Sequence, residues 1–560
     1  MTGKEPRQMR VDWNTRVPMR DGTLLSADVF RSGNGEPRTT LVARTPYNKN
    51  NGEHQARAEA YVADGYNFVW MDVRGRGDSD GEFRPWRAEG RDGYDTIEWI
   101  AAQDWSDGDV VTWGASYLGC IQWMTALEQP PHLRGMIVYV SPSDPFEDNA
   151  SGIAIPWEIC WMRMLDGHTQ QHVERIDWPS LFWHLPYLTM DTNAGFRSEH
   201  WRDFVTHPVT ANEHWDPIRF QPRITEVTVP VLAITGWYDD VQRGTIQNFT
   251  LLTAPDAPAE VRANQWMIVG PWDHGCTTTR NRKLGPVDFG PGAETDLPAL
   301  EREWLASVLR KQGDPPAPVR LFVMGTNTWR EEQEWPLART RWSRYFLASA
   351  GDANSRHGGG ELRREEEPGD GSPADTYRYD PADPVPFISN HASSSQIGGP
   401  DDYAEVEERP DVLVYSTAPL AEALEVTGPV QLKLYASSSA VDTDFTAKLV
   451  DVHPDGFCQR LCDGMVRARF RNGHRQPETR LTPGEVTEFG IDLWSTSHVF
   501  APGHRIRLEV SSSAFPKYDR NLNTGGPLDT GTEMVTATNS VWHSRGFASH
   551  LVLPEIPGHS

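Results

Sequence analysis

Residues 111–120 read VTWGASYLGC, a strand-like run that meets Gly114, Ala115 and Ser116 and continues into a helix-like run, YLGCIQWMTALEQ. A tight strand-to-helix turn strains a serine's backbone and lifts its hydroxyl clear of the sheet. The helix that follows aims its positive end at the same spot and favours negative charge developing there. A serine hydroxyl is a poor nucleophile until a base takes its proton. Histidine has the pKa for that work, and a carboxylate must hold the imidazole in the right tautomer. His274 follows the strand-like WMIVGPWD, and Asp239 and Asp240 follow VLAITGWY, so either carboxylate can fill the third role. The chemistry on offer is acyl transfer. The competing reading is that Ser116 is a polar hinge residue and that the Asp pair and His274 cap loops.

Acyl transfer also needs donors for the oxygen that gains negative charge, because that charge dominates the barrier. The backbone N–H of Tyr117 is one donor by position. Tyr47, in RTPYNKN just after a buried strand, is a candidate for the second through its phenol. Tyr47 as a packing residue is the alternative.

These residues need a scaffold that brings distant loops together. TTLVART (39–45), NFVWMDV (67–73), DVVTWG (109–114) and RGMIVYV (134–140) read as buried strands. HQARAEAYVADG (54–65), GYDTIEWIAAQ (93–103) and residues 117–129 read as the helices between them. Apolar strands alternating with helices imply a parallel sheet covered on both faces, which presents reactive groups at its carboxyl edge. Ser116, the Asp pair and His274 each follow such a strand, in the chain order expected of an α/β-hydrolase.

From about 144 to 225 the sequence is rich in Trp and His, with helical stretches and no clear strand. It reads as a helical insertion capping the site. Strands resume at VTVPVLAITGWYDD and NQWMIVGPWDHG, with GTIQNFTLLTA as a helix between them, and a last helical run covers 297–313. The Gly- and charge-rich run 348–375 reads as an exposed loop, and beyond it come short alternating segments at sandwich-like spacing. The expected division is 1–143 and 226–340 for an α/β domain in two parts, 144–225 for the cap and 341–560 for an all-β domain.

A formal charge of −25 repels phosphate backbones, which sets aside nucleic acid and anionic membrane as partners. No apolar run is long enough to span a bilayer, and MTGKEPRQMRVDW carries no secretory h-region, so the expectation is a cytoplasmic protein. Five cysteines, an odd number, argue for reduced thiols rather than a disulfide framework. Homo-oligomerisation stays open. Three other signals are discounted. RGRGDSDG (74–81) reads as a structural loop after a buried strand. His168 and His172 lack the Glu and third ligand of a zinc site. Asp442 and Asp444 read as surface or loop residues of the β domain.

The generic serine elbow is G-x-S-x-G, but here Leu118 stands at the second glycine and Gly119 comes one residue later. That shift, with TPYNKN, VWMDVRGRGDSDGEFRPW, DGYDTIEWIAAQDWSDGDVVTWGASYLG, LAITGWYDD and IVGPWDHG, resembles the superfamily of bacterial cocaine esterases, X-Pro dipeptidyl-peptidases and α-amino acid ester hydrolases. The resemblance extends over nearly the whole chain. It implies an α/β-hydrolase sheet with an inserted helical cap and a C-terminal jelly roll, and no metal or organic cofactor. It implies Ser116 as nucleophile, His274 as base, Asp239 as the acid and the hydroxyl of Tyr47 as an oxyanion donor. The expected substrate is a small-molecule ester or amide. The alternatives are an X-Pro dipeptidyl-peptidase, an α-amino ester or β-lactam acylase and, from another class, a non-catalytic protein that binds carbohydrate. Members acting on α-amino acid esters are expected to carry an acidic cluster beside the triad Asp, of which Asp240 alone is a thin version. In the cap, Trp157 and Trp161 are candidates for the wall of an acyl or aromatic pocket, with core packing as the alternative for each.

Overall fold

The strand-like runs form β1 (Met9–Pro18), β2 (Leu24–Ser32), β3 (Arg38–Thr45), β4 (Asn67–Asp72), β5 (Ser106–Ala115), β6 (Leu133–Tyr139), β7 (Val231–Gly236) and β8 (Gln265–Gly270). They lie in a ten-stranded sheet in the order β1-β2-β4-β3-β5-β6-β7-β8, extended by the strands Val319–Val323 and Thr328–Glu332. The computed structural model describes residues 9–144, 157–207, 209–276, 282–365, 369, 371, 373–389 and 397–558. Every residue of β4, β7 and β8 is buried. Runs with no polar face are stable only where helices cover both sides of the sheet. The helices α1 (Gly52–Ala63), α2 (Glu89–Ala101) and α3 (Tyr117–Leu127) provide part of that cover. All of α3 is buried, as expected of a helix apolar around its whole circumference.

The sheet is mixed rather than parallel throughout. Pairing is parallel across β4-β3-β5-β6-β7-β8 and on to Val319–Val323. It is antiparallel at both margins, where β1 pairs with β2, β2 with β4, and the last two strands with each other. β1 alternates exposed and half-buried positions, so it lacks the apolar run that marks the interior strands.

Between β6 and β7 the described residues form short helices, among them Glu158–Met164 and Glu199–Thr206, and no strand. Asp144 clasps the two ends of this insertion, its carboxylate accepting from the backbone N–H of Phe220 (2.6 Å) and Gln221 (3.0 Å). The loop after β4 ties the insertion down, because the buried guanidinium of Arg76 donates to the carbonyls of Pro46 (2.8 Å) and Leu165 (2.6 Å). The RGRGDSDG stretch is thus a structural strut. Residues 145–156, near the start of the expected cap, lie outside the described residues.

The C-terminal part is β-rich, with eleven strands joined in one hydrogen-bonded network around their own apolar core. Two expectations fail here. The run 348–375 is not all loop, since Glu361–Arg364 is a strand paired with Arg341–Ala348 through the buried Leu362. Asp442 and Asp444, read as surface or loop residues, are both buried, Asp442 in the bend before a strand and Asp444 at the strand's first position. They are paired at 2.7 Å with the buried Arg469 and Arg467, which removes the cost of an isolated charge in the interior. All five cysteines are buried free thiols.

The two parts are locked together beside β7. Helix Gln242–Thr253 begins with Gln242, whose amide group donates to the carbonyl of Ser495 (3.0 Å) and accepts from its N–H (3.2 Å). Gln459 donates to the hydroxyl of Tyr238 (3.2 Å), and at the far edge of the sheet Arg330 forks onto Glu425 at 2.9 and 2.7 Å. The loop after β7 is therefore held from both sides. No helix among the described residues is long and apolar enough to cross a membrane.

Candidate active site

Ser116 stands between β5 and α3 with φ 57° and ψ −121°, a left-handed backbone that non-glycine residues rarely adopt. Its N–H donates to the carbonyl of Tyr139 on β6 (3.0 Å), and its carbonyl accepts from Cys120 (2.8 Å), which pins the turn. The shifted glycine has a steric cause. A Cβ on Gly114 would stand 2.5 Å from the Cβ of Leu118, and one on Gly119 would stand 2.8 Å from the carbonyl oxygen of Tyr139. Here the helix meets β6 closest at Gly119, so that is where the second glycine is required. Strain of this kind persists only where packing enforces it, and it collects at functional sites.

The other predicted residues sit at the same edge of the sheet. Tyr47 follows β3, Asp239 and Asp240 follow β7, and His274 follows β8. Tyr47, Ser116, Tyr117, Trp157, Trp161, Asp240 and His274 all line one cavity of about 780 Å³. Asp239 is buried behind the wall, with Oδ1 2.7 Å from His274 Nδ1. Asp239 is itself held. Its Oδ2 accepts from the hydroxyl of Thr235 (2.6 Å) and its Oδ1 from the N–H of Val241 (3.1 Å). Asp240 places Oδ1 3.1 Å from the same imidazole nitrogen. Burial alone would lower the pKa of His274, but the adjacent charges of Asp240 and Asp239 outweigh it and hold the imidazole well above its ordinary value. With Nδ1 engaged by carboxylates, Nε2 is the nitrogen left to exchange a proton.

Tyr117 contributes in two ways. As the first residue of α3 it has a backbone N–H with no acceptor inside the helix. Its phenol points away, donating to the buried Glu89 (2.8 Å) and accepting from the N–H of Trp86 (3.1 Å), which fixes the base of the turn. The hydroxyl of Tyr47 accepts from Trp161 Nε1 (2.8 Å) and lines the same cavity as Ser116. Burial pushes the Tyr47 phenol up to about 12, so it keeps its proton at neutral pH. Trp161 also stacks on Trp86, with ring centroids 5.6 Å apart. Trp157 packs against Phe182 at 5.1 Å, in the wall beside it.

Several residues of the site were not anticipated. Glu158, on the short cap helix, lines the cavity, and burial together with the charge of Asp240 raises its carboxyl to about 7. The C-terminal part contributes Ile397, Trp494, Lys517 and Tyr518 to the same wall. The ammonium of Lys517 is bound to Asp463 Oδ2 at 2.7 Å. Glu158 stands within AIPWEICWMRML, a stretch read from the sequence only for its tryptophans. No local signal marks the four β-domain residues, because only the packing of the two parts brings them here.

Comparison with known proteins supports this architecture. The family model of X-Pro dipeptidyl-peptidase (S15 family) matches residues 21–276, and the model of the X-Pro dipeptidyl-peptidase C-terminal non-catalytic domain matches residues 312–552. The chain is 37% identical to the cocaine esterase of Rhodococcus sp. (strain MB1 Bresler), over 97% of this chain and 98% of that one. A putative serine esterase of Mycobacterium bovis is 27% identical over 82% of this chain and 80% of its own. Among solved structures, an α-amino acid ester hydrolase superposes with a TM-score of 0.86 at 24% identity, covering 98% of this chain and 96% of its own. An aminopeptidase from a marine-sediment Thaumarchaeota archaeon gives the same TM-score and identity over 100% and 98%. With an elbow serine, a His–Asp pair and a β-rich partner domain closing one cavity, the chain belongs to the S15 family of X-Pro dipeptidyl-peptidases and cocaine esterases, with the α/β-hydrolase fold.

Proposed function

We propose that the protein hydrolyses carboxylic esters of small molecules through an acyl-enzyme on Ser116. The observation that carries this reading is a strained serine in one cavity with a carboxylate-held imidazole and a protonated phenol. Ser116 Oγ attacks the carbonyl carbon as His274 Nε2 takes its proton. The carbonyl oxygen, now negative, is met by the hydroxyl of Tyr47 and the N–H of Tyr117. The alcohol leaves with the proton held on His274. A water then gives a proton to His274 and attacks the acyl carbon, and Ser116 is regenerated with release of the acid. The C-terminal part, read as a jelly roll, closes the cavity through Trp494 and Tyr518.

The test is a comparison of p-nitrophenyl butyrate with Gly-Pro p-nitroanilide. Turnover of the ester is expected, and turnover of the anilide without the ester would replace this reading with a dipeptidyl-peptidase. Tyr47→Phe is expected to lower kcat about ten- to a thousand-fold, because one oxyanion donor is lost. The KM should move little, since the donor acts on charge that develops only in the transition state. Full kcat in that variant would remove Tyr47 from the mechanism.

A narrower reading rests on Glu158. Two carboxyls, Glu158 and Asp240, face the cavity, while the nearby Lys517 is committed to Asp463. Such a wall favours a cationic group on the substrate. With its carboxyl at about 7, Glu158 is neutral below that pH and negative above it. The kcat/KM of a quaternary-ammonium ester, relative to its neutral tert-butyl isostere, should therefore rise about ten-fold as pH passes upward through 7. Taking the ratio cancels the titration of His274. In Glu158→Gln the rise should vanish, and a rise that persists there would rule Glu158 out as its source.

A further inference from the structure

Away from the cavity, one buried carboxylate in the C-terminal part is ringed by three imidazoles. Asp451, on the strand Asp444–Val452, has Oδ2 2.8 Å from His498 Nε2 and Oδ1 2.9 Å from His504 Nδ1. His453 directs Nε2 at the same group from 3.6 Å, beyond hydrogen-bonding distance. That Nε2 is shut off from solvent and has no hydrogen-bond partner among the described residues. The rings of His453 and His504 are 4.4 Å apart. A buried nitrogen without a partner costs free energy unless something fills the gap.

We propose that Asp451, His453 and His504 form a binding site for a divalent transition metal of the zinc type. Their ligand atoms all lie within 4.8 Å of one another. Around a tetrahedral ion with bonds of about 2.0–2.1 Å, ligand atoms stand roughly 3.3 Å apart. From the single oxygen Asp451 Oδ2, His504 Nδ1 and His453 Nε2 stand 3.0 and 3.6 Å away, which bracket that value. Two imidazoles and one carboxylate suit zinc, cobalt or nickel, and not the all-oxygen shells of calcium or magnesium. His498 would be the outer partner that orients the Asp451 carboxylate. The site is framed by rigid backbone. Asp451 pairs with Ile506 and Gln459, while His453 and His504 sit on turns closed by the bonds His453 N–H to Phe457 and His504 N–H to Ala501. About a quarter of the His453 side chain is exposed, while its Nε2 faces inward.

Two other clusters of similar make-up serve as internal controls. Asp203, His207 and His214 also gather, but Arg87 places a guanidinium nitrogen 2.9 Å from His214 Nε2, where it opposes a second cation. Asp239, Asp240 and His274 are engaged in the catalytic arrangement.

The experiment uses the full-length, tag-free protein, stripped with chelator and titrated with Co²⁺ and then Zn²⁺. The expected result is one Co²⁺ per chain with the visible absorption of a low-symmetry nitrogen–oxygen site, displaced by Zn²⁺, and a Zn²⁺-dependent rise in Tm. His453→Gln/His504→Gln should lose the absorption and the rise. His498→Phe should bind about ten- to a hundred-fold more weakly, and His207→Ala should bind as the wild type does. If the double variant does not fold, the single His453→Gln, at a nitrogen with no present partner, must show the loss. The proposal is overturned if the wild type takes up no Co²⁺, or if the His453 variants take it up undiminished, which would place any metal at another cluster.

Discussion

Ser116→Ala is expected to lower kcat for p-nitrophenyl butyrate by roughly 10⁶-fold, or about 8 kcal/mol in the barrier. It should also abolish labelling by a fluorophosphonate, which is expected to modify Ser116 of the wild type once per chain. The size of the loss follows from the absence of a substitute. Without Oγ no acyl-enzyme forms, and the remaining catalysis is what the oxyanion donors and binding supply to an attacking water. The fold should survive the change, because the backbone bonds that hold the turn, Ser116 N–H to Tyr139 and Cys120 N–H to Ser116, use no side-chain atom. Retention of activity within a hundred-fold, or undiminished labelling of the variant, would place the nucleophile elsewhere. A wild type that resists labelling and hydrolyses no ester would instead favour a non-catalytic carbohydrate-binding protein.

The parts of this site that can be read from the sequence are those whose causes are local. The interior strands announce themselves because a strand covered on both faces has no polar side, as NFVWMD and VLAITG show. The elbow announces itself because a strained turn tolerates only small neighbours, and Gly114 and Gly119 stand where a Cβ would collide with Leu118 and Tyr139. What escapes the sequence depends on distant partners. β1 is a half-exposed edge strand with no apolar run to mark it. Asp442 and Asp444 look like surface charges until Arg469 and Arg467, at the end of the neighbouring hairpin strand, are seen to neutralise them. Glu158 becomes a functional candidate only because the cap sets it near Asp240, far along the chain. The choice between Asp239 and Asp240, left open by spacing alone, becomes a question of which carboxylate is held in place.

Asp239→Asn is accordingly expected to lower kcat about 10⁴-fold, whereas Asp240→Asn should keep kcat within about ten-fold. Both carboxylates reach His274 Nδ1, at 2.7 and 3.1 Å, so distance alone separates them poorly. Their surroundings differ more. Asp239 is fully enclosed, and its two oxygens are fixed by Thr235 and the N–H of Val241, so it enters the reaction already oriented. An amide in its place presents N–H or C=O to the imidazole and disturbs the tautomer that leaves Nε2 free to accept a proton. Asp240 acts mainly as a charge, and its effect should appear in the pH profile. It is one of the two carboxylates that hold His274 above its ordinary pKa against the opposing pull of burial. The base works only when neutral, so kcat/KM rises with pH through the pKa of His274 in the free enzyme. Removing the Asp240 charge lowers that pKa and must move the rising limb to lower pH, leaving the plateau close to its wild-type height. Measured pH profiles of kcat/KM for the two variants separate the roles. A collapse of kcat in Asp240→Asn with Asp239→Asn nearly intact would exchange the assignments, and a limb moving to higher pH in Asp240→Asn would contradict the electrostatic account of this histidine.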